Sequence, residues 1–149
     1  MPKINLDAIA QTSATGYPPE YAGAVAGRSY RRLGPVSGLT DFAVSHVVLQ
    51  PGAWSAQRHW HEDEDEFAVI LSGEATLVDD SGRHLMRPGD CAAFPKNDGN
   101  GHMLVNESAA DCVFIVVGQG RNGDCHYPDV DMRFNAADSS YTRKDGSAF

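Results

Sequence analysis

Two histidines, His59 and His61, stand two residues apart, and Glu66 follows five residues after the second. Imidazoles and carboxylates are common protein ligands of transition metals, so these residue types at this spacing predict a metal site. Residues two apart share a face of a β-strand but not of an α-helix. The pair therefore predicts a strand that presents two imidazoles side by side.

The interval between His61 and Glu66 requires a turn, because one straight strand would place Glu66 on the opposite face from the histidines. Residues 62–65 supply the turn, since Asp and Glu are poor strand formers, and we expect their side chains to form a solvated acidic rim. Glu66 then opens a second strand over residues 67–71 and points back at the histidines. The fourth ligand must come from elsewhere in the chain, and His102 is the candidate.

The elements that position these residues are short apolar runs divided by turn residues, from Asp41 onward. Such runs at regular spacing are typical of an antiparallel sandwich or barrel, and no segment keeps a helical period over roughly 11 residues. About eight strands are predicted, over residues 42–49, 54–61, 67–71, 74–78, 83–87, 91–94, 102–105 and 112–117.

Two flanking segments lack this pattern. Residues 1–40 form an N-terminal arm, with a helical turn suggested near residues 7–11 and extended chain around Pro18 and Pro19. Residues 119–149 are rich in Gly, Asp and Asn, and we expect a coil tail packed on the outside of a barrel formed by residues 41–118. Open strand edges need a cover, which the arm could supply across a two-fold axis, so a homodimer is predicted.

Composition and charge exclude several classes of function. The chain has 149 residues, enough for one domain, and its net charge of -8 argues against nucleic acid or an anionic membrane as a partner. No apolar run has the length of a signal peptide or of a membrane span of roughly 20 residues. The cysteines, Cys91, Cys112 and Cys125, are an odd and widely spaced set, which predicts reduced thiols and a cytoplasmic protein.

Across about residues 42–117 the chain resembles the cupin superfamily. The first cupin motif orders a glycine, two histidines one residue apart, a glutamate and a second glycine. Here it is filled by Gly52, His59, His61, Glu66 and Gly73. The interval from Gly52 to His59 is one residue longer than usual, which predicts a bulge in the strand before the ligands.

The second cupin motif is also present, as Gly89, Pro95, His102 and Asn106, with a longer loop after the proline. The 15 residues between Gly73 and Gly89 match the short spacer common in bacterial cupins. The chain is similar to a group of small single-domain bacterial cupins generally left without an assigned reaction. The resemblance implies an all-β fold, a cupin double-stranded β-helix or jelly-roll barrel, with an N-terminal arm and a C-terminal coil tail.

The resemblance further implies that His59, His61, Glu66 and His102 meet inside the barrel on one divalent metal. Three imidazoles and one carboxylate suit Mn, Fe, Co, Ni, Cu or Zn better than Ca or Mg. Some cupins have lost their metal, so the alternative is a metal-free barrel in which the four residues are hydrogen-bonded polar groups. Asn106 is expected to hold its turn and not to touch the metal.

Candidate catalytic residues are few. Alternation places Gln57 on the face of His59 and His61, so Gln57 is a candidate substrate contact, with simple packing as the alternative. Glu66 is the candidate base, besides a metal-bound hydroxide. No serine or cysteine lies beside a histidine as a nucleophile would. The absence of Lys and Arg from the predicted cavity faces argues against a heavily phosphorylated substrate.

Three functions remain open. The leading expectation is a metal-dependent isomerase or lyase that acts on a small carbonyl compound, such as a sugar or a sugar phosphate. The first alternative is an Fe or Mn dioxygenase, in which open coordination sites bind substrate and oxygen together. The second alternative is a binding or sensing module that holds a small-molecule ligand, such as an anion, without turnover.

Overall fold

Short strands dominate the computed structural model, which describes residues 3–120 and 123–149. These residues contain twelve strands and four short helical segments. No helix among them is long and apolar enough to cross a lipid bilayer. The strands are β1 (Arg28–Arg32), β2 (Ala43–Leu49), β3 (Trp60–His61), β4 (Glu66–Ser72), β5 (Ala75–Asp79), β6 (Gly82–Met86), β7 (Cys91–Phe94), β8 (Met103–Val105), β9 (Cys112–Gly118), β10 (Cys125–His126), β11 (Arg133–Asn135) and β12 (Ser140–Thr142). The helical segments are the 3-10 turn Leu6–Ala8, α1 (Pro19–Ala22), the 3-10 turn Gly23–Val25 and α2 (Leu33–Ser37).

The strands form three antiparallel sheets, which confirms the all-β prediction. The largest sheet has the order β1-β2-β9-β4-β7, and a three-stranded sheet has the order β6-β5-β8. Their buried side chains meet in one core, which includes Val47, Leu49, Ile70, Leu104 and Phe114. Because strand residues alternate between faces, the large sheet turns one side toward this core and the other side outward.

The backbone conformation explains why a glycine, Gly73, closes the first motif. Its φ is 72°, a left-handed conformation that residues with a side chain rarely adopt. A Cβ at this position would also clash with the Asp111 carbonyl oxygen. The glycine therefore lets the chain turn from β4 of the large sheet into β5 of the three-stranded sheet.

The strand predicted over residues 54–61 is interrupted. Trp54 bridges Val105 and His59 bridges His102, but residues 55–58 between them make no ladder. His59 follows Trp54 by five residues, whereas their bridge partners, His102 and Val105, are three residues apart. Two residues between Trp54 and His59 therefore have no partner and bulge out of the pairing. The bulge expected from the long interval after Gly52 is confirmed.

The N-terminal arm contributes a strand to the barrel sheet. Within the predicted arm, β1 pairs with β2 from Arg28 opposite Leu49 to Arg32 opposite Ser45. Thr12 then bridges Tyr30, so the arm lies along the open edge of β1 in its own chain. The boundary expected at residue 40 is therefore too late, because β1 has no run of apolar residues to reveal it.

The C-terminal segment was expected to be coil, and that expectation is wrong for residues 125–142. It forms β10, β11 and β12, which extend from β3 in a four-stranded sheet of order β12-β11-β10-β3. Cys125, Tyr127, Met132 and Phe134 form a second buried cluster there. These strands are only two or three residues long, so no alternation marks them in the sequence. Arg121 and Asn122, which belong to the same predicted tail, lie outside the described residues.

Candidate metal centre

The four predicted ligands come together in the structure. One ligand atom from each of His59, His61, Glu66 and His102 lies within 4.8 Å of the others. His59 Nε2 is 3.1 Å from His61 Nε2, which is 3.3 Å from Glu66 Oε2. His102 Nε2 is 3.5 Å from Glu66 Oε1. The group can hold one metal ion.

Backbone pairing explains how residues distant in sequence meet here. The amides of His59 and His102 donate to each other's carbonyls, at 3.1 and 2.9 Å, which fixes the two residues side by side. His61 ends β3 and Glu66 begins β4, as the turn over residues 62–65 predicted. The alternation predicted for this strand holds only in part. Arg58 and Trp60 contact groups outside the cavity, as predicted, but Gln57 does not share the cavity-facing side of His59 and His61.

The outer contacts of two imidazoles fit metal ligation. His59 Nδ1 lies 2.9 Å from the Gln57 carbonyl, to which it donates, so its Nε2 carries a lone pair. His61 Nδ1 lies 3.1 Å from Cys125 Sγ, and a hydrogen donated there leaves Nε2 free to bind a metal once that nitrogen has lost its proton. Without a metal, a proton on His61 Nε2 can bridge to His59 Nε2 at 3.1 Å, and a cation would take the place of that proton.

The third imidazole is a buried group without a hydrogen-bond partner. Neither ring nitrogen of His102 has a partner among the described residues, and the residue is only 3% exposed. Its ring stacks on Phe94, with centroids 3.7 Å apart and an interplanar angle of 6°. A buried polar atom left unpaired is costly, and metal ligation would satisfy Nε2. The donor set therefore fits a metal ion.

The protonation of the cluster differs between the two neighbouring histidines. Burial, together with the neighbouring His102 and His61, lowers the pKa of His59 to about 3, so this imidazole stays neutral. Burial also disfavours charge on His61, but contacts with Cys125 and Glu66 outweigh it and raise its pKa to about 10. Burial would raise the pKa of Glu66, yet its contacts with His102 and His61 hold it well below its usual range. The carboxylate is thus ionised and available as a ligand.

The acidic residues between the ligands are not all solvated, which corrects the expected rim. Glu64 is 6% exposed, and its carboxylate accepts a hydrogen bond from the Gly120 amide at 3.0 Å. Its other oxygen lies 3.7 Å from His61 Nδ1, behind the metal-facing nitrogen. A Cβ at Gly118 would collide with this carboxylate, so the glycine makes room for it. Glu64 therefore supports His61 from outside the cluster.

Gln57 lies one step behind the cluster. Its carbonyl accepts from His59 Nδ1, while its side-chain amide donates to the Tyr21 carbonyl at 3.0 Å. Its own backbone amide donates to the hydroxyl of Tyr17. Gln57 is buried and is not among the residues that line the cavity described below. From this position its side chain does not reach the space in which a substrate contact was predicted. Asn106, as expected, holds its turn through bonds to Leu49 and Ala110 carbonyls.

The cluster lies on the wall of a cavity of about 530 Å³, a size suited to a small molecule. Residues 14–17 of the N-terminal arm form part of the wall. Four tyrosines, Tyr17, Tyr30, Tyr127 and Tyr141, also line it, and the Tyr127 ring stacks on His59 with centroids 5.7 Å apart. Burial raises the pKa of Tyr17 to about 12 and that of Tyr127 well above its usual range. Both phenols stay protonated and can donate hydrogen bonds.

Two arginines line the same cavity, which corrects the expectation that no Lys or Arg faces it. Arg28 and Arg32 alternate with Ser29 and Arg31 along β1, so they share the inward face of the sheet with Tyr30. Sequence reasoning misses them because no apolar alternation marks a strand in the arm. The basic and aromatic residues two apart at positions 28, 30 and 32 were the available signal.

Comparison with family models identifies one match, to the cupin domain over residues 45–118. This interval contains both ligand motifs and runs from within β2 to the end of β9. The comparison with curated proteins found no match.

Solved structures extend the likeness to almost the whole chain. A sugar phosphate isomerase of the cupin superfamily from Silicibacter pomeroyi is 45% identical, with a TM-score of 0.93, over 99% of this chain and 96% of that one. A putative sugar phosphate isomerase from Acidithiobacillus ferrooxidans is 28% identical, with a TM-score of 0.73, over 81% and 76% of the two chains. The polyketide cyclase RemF from Streptomyces resistomycificus, at 21% identity, a TM-score of 0.66 and 79% and 78% coverage, shares the fold alone.

Proposed function

This chain belongs to the cupin superfamily, and from that premise we propose that it is a metal-dependent isomerase of a small, sugar-like carbonyl compound. The observation that carries the proposal is the convergence of three imidazoles and one carboxylate on the wall of a cavity of small-molecule size. The relative from Silicibacter pomeroyi, which bears the name sugar phosphate isomerase, supports the choice of reaction. The ion would be a divalent transition metal among Mn, Fe, Co, Ni, Cu and Zn.

A bound metal supplies a Lewis acid for a carbonyl oxygen. His59, His61 and His102 would hold it through Nε2, with Glu66 as the fourth ligand. The contacts of His59 Nδ1 with the Gln57 carbonyl and of His61 Nδ1 with Cys125 keep these rings in the required tautomer.

Isomerisation of a carbonyl compound moves a hydrogen between neighbouring carbons and needs a group that accepts and returns a proton. Glu66 is the one carboxylate among the described residues that line the cavity. Its Oε1, which lies 3.5 Å from His102 Nε2, is the atom we assign to this transfer. Tyr17 and Tyr127 remain protonated and share a side-chain hydrogen bond, so the phenol hydrogen that this bond does not use would donate to a substrate hydroxyl group. No external oxidant is required.

The test starts from protein purified without a histidine tag, followed by elemental analysis and an assay in deuterated water. We expect about one transition metal per chain and metal-dependent deuterium incorporation at a carbon beside the carbonyl of an aldose or ketose, tested with and without a phosphate group. Chelation should abolish exchange, and one particular metal should restore it. Glu66→Gln should abolish exchange, whereas His84→Ala, at an exposed histidine outside the cavity, should not change it.

The same assay in the absence of oxygen separates the proposal from its main alternative. Equal rates with and without oxygen support isomerisation, whereas oxygen consumption by the Fe form would support a dioxygenase and contradict the proposal. Undiminished activity in fully metal-free protein would also contradict it.

We also propose that the chain forms a homodimer through the outward side of its large sheet. Phe67 and Leu71 on β4 are 41% and 48% exposed there, beside the partly exposed Val69 and Ile115. A contiguous apolar sheet face of this kind is typical of an interface, and a second copy offers the same face across a two-fold axis. Residues of the N-terminal arm lie along the open edge of β1 in their own chain. A partner's arm, which the sequence analysis expects to cover an open edge, is therefore not needed there.

Light scattering tests the dimer. Phe67→Asp should convert it to a monomer near 16.0 kDa, whereas Leu85→Asp, at a similarly exposed leucine of β6, should leave it a dimer. A monomeric wild-type protein at micromolar concentration would refute this proposal.

A further inference from the structure

The cavity carries a second chemical feature, on β1, away from the metal cluster. The inward side chains of this strand are Arg28, Tyr30 and Arg32, and both guanidinium groups lie near the Tyr30 ring. Their central carbons are 5.5 Å and 5.7 Å from the ring centroid. One strand thus presents two positive charges to the same space that the metal cluster faces.

Neither arginine has a carboxylate partner among residues 3–120 and 123–149. Arg28 Nη1 donates to the Ser55 carbonyl at 2.6 Å, and Arg28 Nε is buried without any hydrogen-bond partner. Other arginines of this acidic chain are paired: Arg58 with Asp129, and Arg133 with Asp124. The missing counter-ions are therefore a feature of β1 and not a shortage of carboxylates in the chain.

The charge at this end of the cavity is left for a ligand to balance. Glu66, the one lining carboxylate in the described part of the chain, is engaged in the metal cluster. Arg28 is half-buried and Arg32 is exposed. Guanidinium groups are stabilised by hydrogen-bonded anions, and their planar donors match the oxygens of phosphate or carboxylate. The hydroxyl of Ser45, which is paired with Arg32 across the sheet and also lines the cavity, adds a further donor.

We propose that Arg28 and Arg32 bind the phosphate group of a phosphate monoester whose other end reaches the metal cluster. The inference rests on the proposed isomerase function and names its substrate class. Two guanidinium groups match the two charges of a phosphate dianion, whereas a carboxylate has only one.

The sheet register sets the length of the substrate. Arg32 aligns through Ser45 and Val116 with Ala68, two residues from Glu66. Three strand spacings separate β1 from β4, about 14 Å between backbones, and the inward side chains of Arg32 and Glu66 shorten the remaining gap. A phosphorylated chain of a few carbons, with its carbonyl at the far end from the phosphate, fits this arrangement.

Calorimetric titration of inorganic phosphate into the full chain, first treated with a chelator, tests the subsite without any contribution from metal. Arg28→Met should weaken binding about 10- to 100-fold, the range for hydrogen bonds to a charged group, and the double variant with Arg32→Met should abolish it. Arg31→Met is the matched control, because Arg31 lies on the opposite face of β1 and donates to the Ile9 carbonyl. Its affinity for phosphate should equal that of the wild type.

Arg28→Lys is a second variant that keeps the positive charge, so it should retain more affinity for phosphate than Arg28→Met. This difference separates the loss of the charge from a general folding defect. Equal phosphate affinity in the wild type and the double variant would overturn the proposal, and acetate binding more tightly than phosphate would overturn the choice of a phosphate ligand. Arginine-dependent phosphate binding without any isomerase activity would support the subsite and refute the proposed function. Isomerisation of unphosphorylated sugars by a protein that binds no phosphate would support the proposed function and refute the phosphate subsite.

Discussion

The two ends of the cavity are built in different ways. At the metal end, the imidazoles are positioned by groups behind them: the Gln57 carbonyl, Cys125 and the ring of Phe94. At the arginine end, Arg28 and Arg32 come from one edge strand, and the described residues supply no carboxylate to balance their charge.

This difference shows how the two ends divide the work of binding. The metal end is organised before anything binds, which suits an ion that demands a fixed geometry. The arginine end is left incomplete, and an anionic ligand would complete it. Substitutions at one end should therefore leave the other end unchanged.

The largest expected effect is loss of a metal ligand. His61→Ala and His102→Ala should each lower metal affinity more than about 100-fold, beyond the cost of losing an outer contact, and should leave phosphate binding intact. Elemental analysis and circular dichroism would measure metal content and fold, with His84→Ala as the control. Full metal occupancy in both variants would contradict the assignment of these residues as metal ligands.

Removing a supporting contact should have a smaller effect at the same end. Cys125→Ala deletes the group that contacts His61 Nδ1 and should lower metal affinity about 10- to 100-fold. Cys125→Ser restores a hydrogen-bond acceptor and should recover most of the affinity, and Cys91→Ala, at an exposed free thiol, should have none of these effects. Competition with a chromogenic chelator gives the affinities. Identical values for all three variants would show that Cys125 does not support the ligand.

A contact between the metal end and the arm should matter less. Gln57→Ala removes the bond to the Tyr21 carbonyl and should lower the free energy of unfolding by about 1 kcal/mol. Metal content should not change, because the carbonyl that holds His59 is part of the backbone. Turnover should fall as the arm loosens over the cavity, and hydrogen exchange should rise in residues 14–21. Unchanged exchange there would show that Gln57 does not hold the arm.

The smallest effect is expected outside both ends. Arg58 pairs with Asp129 and lowers the pKa of that carboxyl below its usual 3.8, so the pair stabilises the fold above that pH and the stabilisation disappears as the pH falls through the lowered pKa. Because Asp129 is largely exposed, Asp129→Asn should cost under about 1 kcal/mol at pH 7 and nothing in strong acid. Urea unfolding at the two pH values measures this. Any change in metal or phosphate affinity would contradict the separation of this surface from the cavity.

Several features of the protein follow from local patterns in the sequence. His59, His61 and Glu66 lie within eight residues, so strand alternation and one acidic turn were enough to bring them together. The second motif supplied His102 and the structural role of Asn106, and the regular apolar runs predicted an antiparallel barrel. Each of these depends on neighbouring residues or on a known order of motifs.

Only the tertiary structure revealed the groups that surround the ligands. Cys125 meets His61 across 64 residues of sequence through the pairing of β10 with β3, two strands too short to show a period. Glu64 looks like one more solvated acid until Gly118 and Gly120 pack around it. Such positions are set by long-range strand register, which no local pattern encodes.

The two cavity arginines also could not be assigned from local sequence patterns. Arg28 and Arg32 lie in a polar strand whose partner begins more than ten residues later, and their inward direction follows from pairing with Ser45 and Leu49. In sequence they are two charged residues of an irregular arm. Alternation could place them on one face, but only the sheet decided that this face lines the metal cavity, because the inside of a barrel exists only once its strands have paired.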